Sequence, residues 1–267
     1  MKTKLLLLIT VVVLAAGLLI LKNFTRQKQT QNSMAGSPIT TNPNIKITPI
    51  SHASVVLDWK TAVVYADPVG APESYANVPK PDIIVITHEH PDHFSPDTLA
   101  KIMQPNTVLI VPSVIAAKLP KTLTHNLIVL KNNDTTSQKN INIQAVPAYN
   151  LRSADLDKHP KGNGNGYVLE SSGTRVYIAG DTEDVPEMRA LKNIDIAFVP
   201  MNLPYTMSIE QAADAVLAFK PKQVYPYHYG YNNGHPNELA DVAKFKQLVN
   251  AADPNIEVVQ LNWYPQK

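Results

Sequence analysis

The sequence predicts an α+β protein built as a four-layer sandwich, with helices outside two packed sheets, after an N-terminal hydrophobic helix. Three observations carry this. Short β-runs open each half of the chain, helices follow them in both halves, and a histidine cluster stands directly after a buried strand. The 44% hydrophobic and 17% charged content is that of a packed globular protein across 267 residues.

Leu5 to Leu21 is an apolar run broken only by Thr10 and preceded by Met1-Lys2-Thr3-Lys4. At 1.5 Å per residue it spans roughly 25 Å, the short end of what crosses a bilayer. The small residues Ala15-Ala16-Gly17 lie inside the run, and no small-x-small cleavage site follows it closely. The expected organisation is a signal anchor or signal peptide at 1–21, a flexible polar tether at 22–43 and a folded domain at 44–267. Uncleaved, the segment anchors the domain outside the cytoplasm; cleaved, it yields a secreted or periplasmic protein.

Ile45–Ile50, Ser54–Leu57 and Ala62–Tyr65 read as three strands separated by turns. Asp82–Thr87 is a buried strand ending at the histidines. Ser95 caps the helix that follows, with Pro96 at its first position and Asp97 at the positive end of its dipole. Thr107–Val111 and Leu127–Leu130 are strands flanking a short helix at Val114–Lys118. The second half reads Ile141–Val146, Gly166–Glu170, Arg175–Ala179 and Asp195–Val199 as strands. A capping box at Ser208-Ile209-Glu210-Gln211 opens a helix to about Phe219. Strand Gln223–Tyr227, helix Asn237–Asn250 and strand Ile256–Leu261 complete the chain.

Charge weighs against one function class. Residues 1–34 hold five bases and no acids, so the rest carries 19 bases against 22 acids. No nucleic-acid partner is expected for such a surface. The absence of cysteine removes disulfides and thiolate metal sites. A metal must be held by His, Asp, Glu or Asn.

The cluster is Thr87-His88-Glu89-His90-Pro91-Asp92-His93. On extended backbone, His88 and His90 point to the same side, so both imidazoles reach one ion. Asp92 and His93 fall where the chain turns toward the helix and face a second ion. Three imidazoles and a carboxylate suit borderline divalent metals, zinc first, with Mn2+ or Fe2+ as alternatives.

These residues resemble the metallo-β-lactamase superfamily, whose HxHxDH signature is present as His88, His90, Asp92 and His93. The resemblance runs from about residue 45 to 264 and implies the metallo-β-lactamase form of the sandwich. It implies that those four residues are metal ligands, joined by a bridging Asp181 in Ile178-Ala179-Gly180-Asp181-Thr182 and a final His228 in Tyr225-Pro226-Tyr227-His228. It also implies two Zn2+ ions and hydrolysis by a metal-bound hydroxide that Asp92 orients, with Asp92 also able to accept a proton. The substrate would be an ester, lactone or phosphodiester of a small or lipid-like molecule.

One family position departs. Asn150 stands where the third histidine of the first metal is expected. His159, nine positions on, is the candidate replacement. Asn150 binding directly or from behind, or a weakened or single-metal site, are the alternatives. Asp67, in Tyr65-Ala66-Asp67-Pro68, is the carboxylate implied to receive a ligand histidine's second N–H. His52, in Ile50-Ser51-His52-Ala53-Ser54, resembles a turn of the branch near L-ascorbate-6-phosphate lactonase and N-acyl-phosphatidylethanolamine phospholipase D; a supporting role behind the ligands is expected. His235 and His125 read as turn and loop residues. Tyr227, Tyr229 and Tyr231 read as packing and cleft walls, and Met201–Met207 as a lid or an ordinary connection. The competing functions are a membrane-tethered binding protein with a degenerate metal site and a nucleic-acid-processing hydrolase. A di-iron redox centre is disfavoured because His90 is retained.

Overall fold

A computed structural model describes residues 44–230, 235 and 238–264. The apolar segment and tether expected at 1–43 lie outside these residues. Among the described residues no helix is long and apolar enough to cross a membrane.

The first sheet runs β1 (Lys46–Ser51), β2 (Ser54–Asp58), β3 (Val63–Ala66), β4 (Ile83–Val85), β5 (Val108–Val111) and β6 (Leu127–Val129), in that spatial order. Its first two pairings are antiparallel and its last three parallel. The second sheet contains β7 (Thr135–Gln138), β8 (Ile141–Ala148), β9 (Gly164–Ser171), β10 (Thr174–Ile178), β11 (Ile196–Pro200), β12 (Gln223–Tyr227) and β13 (Glu257–Val258). It too changes from antiparallel to parallel, at β10. Parallel neighbours need crossovers. They are made through a 3-10 turn (Pro72–Tyr75), α1 (Pro96–Ile102) and α2 (Ser113–Ala116) in the first half, and through α3 (Pro186–Arg189), α4 (Ile209–Phe219) and α5 (Val242–Ala252) in the second.

The two-residue period of a strand sorts side chains into layers. In β4, Ile83 and Val85 join the core shared with the second sheet. Ile84 and the following Ile86 join a separate core with Leu99 and Ile102 of α1 and Ile115 of α2. Every residue of β11 is buried, as expected of a strand covered on both faces. Val216, Phe219, Phe245 and Val249 bring α4 and α5 into the larger core. Each such fully buried side chain contributes about 1.5–3 kcal/mol.

The expected caps are in place: Ser95 accepts the Thr98 N–H, and Ser208 and Gln211 form the reciprocal capping box. Other elements differ from the sequence reading. The last helix starts at Val242 rather than Asn237, because the Asp241 side chain caps it by accepting the Lys244 N–H. The closing strand pairs only over Glu257–Val258. β7 and α3 have no counterpart in the sequence reading. The polar sequence TTSQ pairs on one side only, at the sheet edge, so it shows no buried alternation. Four-residue α3 is too short to display a helical period.

Candidate metal centre

Strand ends from both sheets converge here. The loop after β4 carries His88, His90, Asp92 and His93; Asp67 follows β3, Asp181 follows β10 and His228 follows β12. Three of the converging non-glycine residues have left-handed backbone: His52 (φ 51), Asp67 (φ 45) and His228 (φ 47). Such conformations are uncommon and persist where surrounding bonds enforce them. Here the Ser54 hydroxyl donates to the Asp67 carbonyl at 2.6 Å, and the His228 N–H donates to the His52 carbonyl at 3.2 Å.

Two groups of donor atoms result. His88, His90, His159 and Asp181 form the first, with ligand atoms within 4.8 Å of one another. His93, Asp181 and His228 form the second, and Asp92 and His52 adjoin it through His228. Asp181 belongs to both, one oxygen to each. Its Oδ2 lies 3.3 Å from His159 Nε2 and 3.8 Å from His88 Nε2. Its Oδ1 lies 3.3 Å from the Nε2 atoms of both His93 and His228. Asp92 Oδ2 lies 3.4 Å from His228 Nε2 and 3.8 Å from His93 Nε2.

Hydrogen bonds behind the donors set which ring nitrogen faces inward. Thr87 donates its backbone N–H and its hydroxyl to Asp67, each at 2.7 Å. Asp67 in turn lies 2.7 Å from His93 Nδ1, which leaves His93 Nε2 for the centre. Asn202 Oδ1 does the same for His228 Nδ1 at 3.1 Å, and itself accepts from Thr206. The Gly180 N–H donates to the Tyr227 hydroxyl at 2.8 Å, holding the backbone beside Asp181. His52 bridges Tyr264, at 2.6 Å from Nδ1, and Asp92, at 3.2 Å from Nε2.

The electrostatics favour a cation. Burial would raise Asp181, but His228 and His93 outweigh it and hold the carboxyl well below its usual range. Burial likewise opposes the ionised form of Asp92, which His228, 3.4 Å away, and the hydrogen-bonded His52 restore. Burial, reinforced by His93, holds His88 well below the ordinary imidazole value; burial and His159 depress His90. Burial, then His228, lowers His52 to about 4. Burial alone would lower His93, yet Asp181 and Asp67 raise it well above the ordinary value.

The donor set fits a metal. Nε2 of His93, Nε2 of His228, both ring nitrogens of His159 and Oδ1 of Asp181 are buried without a hydrogen-bond partner. Unsatisfied buried polar atoms are costly and rare, and converging ones call for an ion. Imidazole and carboxylate donors without thiolate suit zinc and similar divalent metals.

All seven residues expected as ligands are thus brought together, His159 included. Asp67, Asn150 and His52 stand behind or beside them. Asn150 donates from Nδ2 to the carbonyls of Asp155 and Tyr205, and its N–H donates to the His159 carbonyl. Met201–Met207 is an anchored connection, not a lid: Met201 and Met207 are buried, and Arg152 donates to the carbonyls of Pro204 and Thr206. Tyr227 points inward to Gly180, while His125 and His235 are exposed. Thr87, Asn202 and Tyr264 were missed, because each acts through a partner distant in the chain or through its neighbour's second nitrogen.

Two sheets with a histidine–aspartate centre at their strand ends define a β-lactamase superfamily domain, whose family description matches residues 46–228. The chain belongs to this superfamily and, within it, to the UPF0173 metal-dependent hydrolases. It is 30% identical over 219 residues to the UPF0173 metal-dependent hydrolase of Pyrococcus furiosus, covering 77% of this chain and 92% of the relative. A crystal structure from Parabacteroides distasonis, assigned as a metal-dependent hydrolase, is 41% identical, with a TM-score of 0.72 over 82% of this chain and 94% of that one. The diiron β-hydroxylase CmlA of Streptomyces venezuelae shares the fold at 19% identity and TM-score 0.62, this chain covering 54% of its length. The protein is a metal-dependent hydrolase.

Proposed function

We propose that the protein is a two-zinc hydrolase acting on an ester, lactone or phosphodiester of a lipid-like substrate at a membrane surface. The observation that carries the two-ion reading is Asp181, whose two oxygens face two different sets of imidazoles. His88, His90, His159 and Asp181 would hold one ion, and Asp92, His93, Asp181 and His228 the other. Ions so held acidify water toward neutrality and stabilise charge developing on oxygen.

The chain's own groups divide the remaining work. Asp92 is the accessible carboxylate of the set, its side chain 45% exposed against 3% for Asp181. It is placed to orient an attacking water and take its proton, while His52 and His228 fix its Oδ2. Asp67 and Asn202 keep His93 and His228 in one orientation. A degenerate binding site would not need this complete set of converging donors, most of them buried, which favours catalysis.

The lipid-like substrate is supported by Leu151, Leu156 and Tyr205, large hydrophobic residues left exposed. They lie on the two loops that Asn150 and Arg152 tie together next to His159. The apolar run Leu5 to Leu21 supports membrane attachment, with the domain outside the cytoplasm. The test is metal analysis of the full-length protein in detergent, beside ester, lactone and phosphodiester substrates carrying short or long acyl chains. Two zinc equivalents, preference for long chains and loss of turnover in His90→Ala are expected. A metal-free protein with activity unchanged in His90→Ala would overturn the reading.

A further inference from the structure

We infer that Glu183 and Arg152 form a buried brace that positions His159 as a ligand of the first metal. The inference rests on the two-ion reading above and adds residues that no motif marks.

Glu183 stands two positions after Asp181 and is 1% exposed. Its Oε2 accepts the backbone N–H groups of Leu151 and Arg152 at 3.1 and 3.2 Å, and its Oε1 accepts Arg152 Nε at 2.6 Å. The other end of the guanidinium donates to the carbonyls of Pro204 and Thr206, each at 2.8 Å. Three chain segments therefore meet at one ion pair: the one bearing Asp181, the one leading to His159, and the 201–207 connection.

The same contact zone fixes both ends of the segment between Asn150 and His159. The Glu183 N–H donates to the Tyr149 carbonyl at 3.0 Å, and the Thr182 hydroxyl accepts the Tyr149 N–H at 3.1 Å. At the far end the Asn150 N–H donates to the His159 carbonyl at 2.9 Å. Asn150 Nδ2 and Arg152 Nε also reach Asp155 inside the loop. A ligand presented from a loop loses conformational freedom when it binds, and pre-ordering the loop removes that cost in advance. The His159 ring meets Asp181 Oδ2 at 3.3 Å through Nε2, while its Nδ1 is buried without a partner. Where its backbone stands, and so whether the ring reaches Asp181, is set by the loop that the brace holds. Because Asp181 and Glu183 share one short segment, that segment supplies the shared carboxylate and the anchor of the opposing imidazole together.

The test is a Co2+ titration of the full-length protein and of Glu183→Gln, followed by visible absorption and by the shifted imidazole proton resonances of the cobalt protein. Wild type fills both pockets. Glu183→Gln keeps the side chain's shape but loses the charge and one of its two acceptor oxygens, and its first pocket weakens by about 10- to 100-fold while the second holds cobalt as before. The His159 resonance disappears or broadens, and those of His93 and His228 persist. Arg152→Lys, which retains charge but not the fork, shows the same selective loss. A variant that fills both pockets like wild type, or loses both in proportion to a fall in metal-free melting temperature, overturns the brace. Should Glu183→Gln not fold, Arg152→Lys alone decides by the same criterion. Wild type that takes up no cobalt overturns the two-ion reading, and the brace with it.

Discussion

The carboxylate of Asp67 lies 2.7 Å from His93 Nδ1, and both side chains are fully buried. Removing the carboxylate would take from the buried His93 its 2.7 Å partner and from Thr87 the acceptor of its N–H and hydroxyl. For Asp67→Ala we expect a loss of about 3–5 kcal/mol, the range for breaking a buried pair. Metal affinity should fall by about 10- to 100-fold, most strongly in the His93 pocket. Urea denaturation and metal analysis check both; a wild-type midpoint with full occupancy would refute the positioning role.

Metal uptake should release protons. Although burial opposes it, Asp181 and Asp67 hold His93 above the ordinary imidazole value, so the metal-free protein carries that proton at neutral pH. A ligand must shed it, and affinity for Zn2+ should weaken as pH falls. For the metal-free fold, the raised His93 contributes stability below about pH 6.5 that is lost as pH rises through its folded value. Asp181, held low, contributes stability above the ordinary carboxylate range that is lost on acidification. Calorimetry in two buffers of different ionisation enthalpy measures the release. Identical heats in both would contradict it.

Gly180→Ala should disturb the centre without touching a donor. Gly180 has φ 66, and a Cβ there would lie 2.9 Å from the Thr87 Cβ. Strained backbone of this kind costs about 1–3 kcal/mol. The displaced Thr87 would also carry Asp67 with it. The readouts are the denaturation midpoint and metal stoichiometry, with unchanged values for both counting against the contact.

Local chemistry explains what could be read beforehand. His88, His90, Asp92 and His93 sit on one loop, so their spacing alone discloses a joint purpose. His159 was accessible only because Asn150 vacates a position where an imidazole is expected. Asn202 and Tyr264 carry no such mark: they meet His228 and His52 across 26 and 212 positions of sequence. Glu183 and Arg152 look like ordinary surface charges until folding buries the carboxylate. β7 escaped detection because an edge strand of TTSQ needs no apolar face.

The centre lies on the seam between the two sheets, with His88, His90 and His93 delivered by the first and His159, Asp181 and His228 by the second. In a chain without cysteine, an ion there would act as a removable staple joining the halves. Neither half holds a full donor set, so capture must await their docking. Metal occupancy then reports that assembly is complete, and chelation should loosen the molecule along that seam first.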